Sequence, residues 1–225
     1  MRIDYDFLCR MAAEEGIFFM EHAYKSTDQS LVLCDTVRHL PESFEIPWNP
    51  NTRTEVSTLC ISQFRYSAQI RPSSVVTKGP TFKRPGWAGR FDQEGQHQYQ
   101  RTQSRCMTTP DVSRAPTGQN FARWQMEGWR NNAETARGMR RSPEIWPGRR
   151  IVLTGHPQAN LNREWQVVAS ELHGEQPQAV PGRREQGRRW RRLRVIPADR
   201  TWRPQPRLKP LVDSPPERRR DGAGG

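Results

Sequence analysis

The sequence predicts an α+β fold that is mainly β. Residues 64–70 alternate, with Phe64, Tyr66, Ala68 and Ile70 on one side and Arg65, Ser67 and Gln69 on the other. A period of two reads as a strand with one buried and one wet face. Residues 119–138 carry a broad apolar stripe at helical spacing instead. Residues 146–155 and 164–173 are two apolar runs joined by a polar loop rich in Pro, Asn and Gln, the pattern of a strand pair.

Taken in order, Asp4 or Asp6 can cap a first helix, over about 4–15, with Phe7, Leu8, Met11 and Ala12 as its apolar face and Gly16 as its stop. Residues 17–21 and 31–35 read as a hairpin around a polar loop. Prolines 41, 47 and 50 make 40–53 a loop or an edge excursion. Helix, hairpin and the 64–70 strand are expected to share one sheet layer. Pro72 ends that strand or places it at an edge, Val75–Thr77 starts another, and Lys83-Arg84-Pro85-Gly86 closes the unit.

The second helix is expected over 119–138. Phe121, Trp124 and Gly128 form one stripe; Ala122, Met126, Trp129, Ala133 and Ala136 form its neighbour. Trp124 and Trp129 read as core anchors. In the second strand of the 146–173 pair, Trp165, Val167 and Ala169 share a face. Beyond Pro177 the periodicity is lost, and 195–212 reads as an extended linker. Three regions result: 1–86, 87–182, and a disordered basic tail over 183–225.

Composition restricts the function. Hydrophobic residues make up 33% of the chain, with 19 Pro and 16 Gly, so the core is thin and loops are extensive. No run of about 18 apolar residues marks a membrane anchor, and no secretory signal opens the chain. Cys9, Cys34, Cys60 and Cys106 show no metal-ligand spacing and read as free thiols in a reducing cytoplasm. The net charge of +12 first suggests nucleic acid, but seven arginines and one glutamate are concentrated in 183–194. Such a cluster reads as a solvated segment. His22 and His39 near Asp35 lack a third ligand and helical spacing. Asp4, Asp6, Glu14 and Glu15 suit a helix terminus or a wet face. No nucleophile elbow, Walker loop or dinucleotide fingerprint occurs. The sequence therefore predicts no catalytic, cofactor-binding or metal residue, no cofactor and no enzyme.

The stretches DYDFLCRMAAEEGIFFMEH (4–22), LVLCD (31–35), KRPG (83–86) and WPGRRIVLTGHPQANLNREWQVVASELHGEQP (146–177) resemble VgrG. This is the spike protein family of bacterial type VI secretion, related to the hub and spike of contractile phage tails. The resemblance covers roughly 4–103, 119–182 and 195–213. It implies hub-type β-barrel-like domains, with 1–86 as the later part of a first barrel region and 87–182 as a second. It further implies a structural role at the tip of the secretion tube, assembly in the cytoplasm, and, in intact relatives, a homotrimer contacting tube protein and effectors. The family's neck and long spike have no counterpart here, so the expectation is a truncated, non-functional fragment whose own oligomerisation is in doubt.

Three segments depart from the family. Where relatives read Tyr-Asp-Tyr-Pro-Gly-Arg-Phe-Lys-Gly-Ala-His-Gly, residues 107–118 read MTTPDVSRAPTG. Suitable codons for the former, read one base along, encode the latter residue for residue. Residues 187–191 (GRRWR) and 216–225 (PERRRDGAGG) fit the same treatment. Frame disruption would make much of the basicity a by-product, since 104–118, 183–194 and 216–225 together hold +8 of the +12. It also predicts few tertiary contacts for 104–118 and beyond 182. The alternative is a nucleic-acid-binding module using 183–194, with steeply salt-dependent binding.

Overall fold

The computed structural model describes residues 2–23, 29–51, 59–78, 89–95, 105–108, 115–140, 145–176, 179 and 188–207. Helix α1 (Arg2–Glu14) turns at Gly16 into a hairpin of β1 (Phe18–Ala23) and β2 (Gln29–Cys34), with Phe18 opposite Cys34. Strands β3 (Phe44–Pro47) and β4 (Gln63–Ala68) follow. Then β5 (Ser74–Lys78) forms a small sheet, antiparallel to β6 (Arg90–Glu94) and parallel to β7 (Arg105–Thr108). Helix α2 (Ala115–Trp129) lies against β5 and β6. The chain continues through β8 (Glu134–Arg140), β9 (Arg150–Thr154), β10 (Glu164–Glu175) and β11 (Arg188–Pro197). The body is one curled six-stranded sheet in the order β3-β9-β10-β11-β8-β4, and it draws strands from both sides of residue 86.

The class is as the sequence predicts, mainly β with two helices. The first helix, the hairpin, the Val75–Thr77 run and the 146–173 strand pair all form. Pro47 ends β3, which sits at a sheet edge where a missing N–H costs no ladder bond. The core fills one face of the main sheet. Ile46, Ile151, Leu153, Trp165, Val167 and Leu193 are buried there, and Ile61, Ile145 and Leu161 close over them. Trp165 is fully enclosed; its Nε1–H donates to the Leu161 carbonyl at 3.0 Å. Phe64 meets its ring edge-on at 5.1 Å, and the Arg163 guanidinium lies 4.7 Å from its centroid.

Several expectations are corrected. The second helix stops at Trp129, and 134–140 is a strand. Ala136 and Gly138 face the core while Arg137 faces out; small residues fit either period, so the stripe over 119–138 concealed a switch from 3.6 to 2. The arginine-rich segment is also no loose tail. From Arg188 it forms β11, hydrogen-bonded between β10 and β8 near the middle of the sheet. Leu193 and Val195 point into the core while Arg192 and Arg194 point away. One apolar side suffices to hold a strand, however basic the other.

Residues 105–108 and 118 of the 104–118 segment likewise make tertiary contacts. β7 adds to the small sheet, and Gly118 is buried so closely under Phe91 that a Cβ would lie 2.1 Å from its ring. Residues 198–207 are no linker but a strap across α2 and the hairpin, joined by the Asn131 Nδ2 bond to the Arg203 carbonyl (2.9 Å). The hairpin forms its own two-stranded sheet instead of sharing a layer with β4. Finally, β4 is an edge strand, with Tyr66 36% and Ile70 73% exposed, so its alternation marks a half-covered rim. The 83–86 turn, 183–187 and 208–225 lie outside the described residues.

Trp165→Ala should lower stability by about 3–5 kcal/mol, read from urea denaturation, whereas Ile70→Ala should fall within about 0.5 kcal/mol of the parent.

Candidate assembly surface

The hairpin is seated on the sheet body through two glycines and one arginine. Gly16 (φ +68°) lies under Trp124, where a Cβ would sit 2.6 Å from the indole ring. Gly148 (φ +88°), in the WPG turn before β9, leaves room for Met20, whose sulfur would be 1.8 Å from an added Cβ. Both turns need left-handed backbone and close approach together, which glycine alone supplies cheaply. Trp124, expected as a core anchor, is half-buried and instead packs over the Gly16 turn.

Arg203, on the strap, is 6% exposed. Its Nη1 donates to the carbonyls of Gly16 and Asp35, and its Nε bonds Glu127 Oε2 at 2.7 Å. It therefore joins the end of α1, the end of β2 and α2. Trp202 meets Phe18 edge-on at 6.0 Å, and Val37 N–H donates to Thr201 Oγ1 at 3.2 Å.

A second cluster fixes the other side. Glu134 accepts from Tyr66 Oη (3.0 Å), Arg163 Nη2 (3.1 Å) and Arg200 Nη2 (2.9 Å), linking β8, β4, the start of β10 and the strap. Burial pushes the Glu134 carboxyl up, but the Arg200 charge and the bonds from Arg200, Arg163 and Tyr66 outweigh it and hold the group below its ordinary value.

What this framework presents outward is apolar. On the hairpin, Phe18, Met20 and Cys34 face inward, while Phe19, Leu31 and Leu33 face solvent. Among the described side chains of α1, Cys9 and Ala13 are buried. The apolar face expected over Phe7, Leu8 and Met11 lies outside, at 52%, 62% and 37% exposed. Tyr5 closes the junction by an edge contact with Phe19 at 6.3 Å, and Phe19 pairs across the hairpin with Leu33. Seven of the ten exposed large hydrophobic residues among the described residues belong to α1 and this hairpin. Scattered apolar residues are ordinary on a surface; a concentration of this kind marks an interaction site.

His39 and Asp35 meet at 3.2 Å with both side chains about two-thirds exposed, and the His22 side chain lies outside the described residues. Among the described residues no group of three His, Cys, Asp or Glu could hold a metal. Cys9, Cys34 and Cys60 are free thiols.

The family pattern of the phage tail baseplate hub (GPD) matches residues 4–178. The chain belongs to the phage tail baseplate hub family. The actin cross-linking toxin VgrG1 of Vibrio cholerae is 32% identical over 222 residues, covering 94% of this chain and 20% of that protein. The type VI secretion system spike protein VgrG3 of the same species is 28% identical over 219 residues, covering 94% and 21%. The chain thus spans about a fifth of the length of these curated relatives.

Among solved structures, the E. coli c3393 protein, described as a component of the type VI secretion system with similarity to the T4 tail proteins gp27 and gp5, superposes with a TM-score of 0.59 at 14% identity. It covers 93% of this chain and 42% of its own. A tail protein of Neisseria meningitidis MC58 gives a TM-score of 0.58 at 13% identity, covering 88% and 55%. These structures share the hub fold. The resemblance to VgrG is borne out: the chain is a hub-family domain similar to type VI spike proteins. No helix among the described residues is long and apolar enough to cross a membrane.

The Glu134 cluster sets a pH dependence. Because the folded carboxyl titrates below its unfolded value of about 4.3, its contribution is complete above that pH and is lost as pH falls through the lower folded value. Urea midpoints measured from pH 6 down to pH 2 should decline across that window, and Glu134→Gln should flatten that part of the decline.

Proposed function

We propose that this hub domain assembles with two further copies of itself, burying the α1–hairpin surface between subunits, to form a collar at the tip of a contractile secretion tube. The observation that supports this reading is the placement of Leu8, Phe19, Leu31 and Leu33 on one exposed surface held by buried contacts behind it. In a closed trimer each interface is heterologous, so this patch would meet a different surface of the next subunit. The open outer edge of β4 offers a second place for subunits to meet. The function is mechanical and needs no cofactor. Tube protein and secreted effectors are the partners that the relatives' spike role suggests.

We further propose that 107–118, 187–191 and 216–225 arose by reading-frame changes. Residues 107–108 and 188–191 lie in strands all the same, and strand ladders bond through backbone atoms that every non-proline residue has. A gene whose codons at these places admit no single-base realignment to the family text would exclude this origin.

The assembly reading is tested by light scattering coupled to size exclusion. The parent chain should form a trimer at micromolar concentration, and Leu8→Glu/Leu33→Glu should be monomeric with unchanged circular dichroism. A monomeric parent, or a trimer that survives the double substitution, would overturn it.

A further inference from the structure

Among the described residues, the face of the main sheet opposite the core is covered at one end only. There Ile196 is buried and Trp202 lies on the strap alongside. The other end is open and holds a groove of about 700 Å³ running across β4, β8, β11 and β10. Register explains its chemistry. Arg65 is paired with Arg137, and Arg137 with Arg194, so three arginines lie side by side on three adjacent strands. Two residues along β11, Arg192 stands in the next row on the same face, opposite Met139 and Glu171. The floor between the rows is the backbone of Gly138, Leu193 and Ser170, whose row faces the core.

Like charges directly opposite on neighbouring strands are unfavourable, and none of these four arginines is held by a carboxylate among the described residues. All four are exposed. On β11, Arg194 therefore faces a like charge on β8 and an alanine on β10, while Arg192 has Glu171 opposite it on β10. A row with this defect is neutralised by an anionic partner. Arg65 and Arg137 lie outside the segments whose charge is ascribed to reading-frame changes, and Arg192 and Arg194 lie just beyond the GRRWR stretch of 187–191.

We propose that this groove binds an acidic helix of a partner protein. Adjacent strands are about 4.8 Å apart, so the row repeats at about that interval. Carboxylates three or four residues apart on a helix repeat at about 5–6 Å and stay nearly in step with it. Same-face carboxylates on an extended strand recur at about 6.7 Å and fall out of step after two. A single-stranded nucleic acid would call for rings to stack its bases, and no aromatic side chain lines the groove. The nearby Trp190 is already stacked on His173, at 5.4 Å and 6°. Neither described helix of this chain carries carboxylates at i, i+4 and i+8, so a second copy does not supply such a partner. This site is independent of the α1–hairpin surface.

The test uses the full chain and three fluorescent probes of equal charge. One is an alanine-based helical peptide with glutamates at i, i+4 and i+8. Another is the same peptide broken by a central proline, and the last is a single-stranded oligonucleotide. The helical peptide should bind most tightly, and Arg137→Gln/Arg194→Gln should weaken it about tenfold, while Arg123→Gln on α2 leaves it unchanged. The double substitution should also raise the urea midpoint slightly by relieving the repulsion, a readout showing that the variant folds. Absence of peptide binding, equal binding of the proline-broken peptide, tighter binding of the oligonucleotide, or an equal loss in Arg123→Gln would each overturn the proposal.

Discussion

The placement of α1 and the hairpin depends on one buried guanidinium. Arg203 reaches from the strap after β11 to the carbonyls that end α1 and β2 and to Glu127 on α2. These groups are far apart in sequence, with Arg203 lying 187 positions after Gly16. Two carbonyls at the ends of elements would otherwise be short of donors in a place closed to water. A flexible lysine, with its single point charge, could not serve three acceptors in this fork-like geometry. The two glycines then let Trp124 and Met20 close the remaining gaps. Rigid support behind and apolar side chains in front is the physical requirement for a surface that must meet a partner without first reorganising.

The main sheet shows the same division of labour. Its concave face is filled by Trp165 and the aliphatic residues around it, so this face alone can supply the stability of the strands. The opposite face is free to be specialised. One end carries the strap, and the other carries arginines in register. Glu134 sits at the start of β8 and ties the edge strand β4 to the strap, so the sheet is braced where its hydrogen-bond ladder is weakest.

Much of this was legible in the sequence where the signal was local. The hairpin followed from two short apolar runs around a polar loop, and the 146–173 pair from runs of the right length. The misreadings have physical causes. The 119–138 stripe joined a helix to a strand because Ala133, Ala136 and Gly138 are small enough to satisfy either period. The arginines of 188–194 masked the alternation of Leu193 and Val195, which in hindsight was the strand signal. Phe7, Leu8 and Met11 were recognised as an apolar face, but periodicity cannot tell whether a chain covers such a face itself. Arg203 and Glu134 gave no signal at all, since their partners are brought together only by the finished fold.

The account stands most directly on whether Arg203 holds the hairpin. Hydrogen exchange of Arg203→Met should show the amides of Phe18–Ala23 and Gln29–Cys34 exchanging about a hundredfold faster, as expected for loss of about 3 kcal/mol when a buried pair is broken, while those of β10 and β11 keep their protection. Hairpin amides that exchange at the parental rate in the variant would contradict it, and the apolar surface would then be held by something other than the strap.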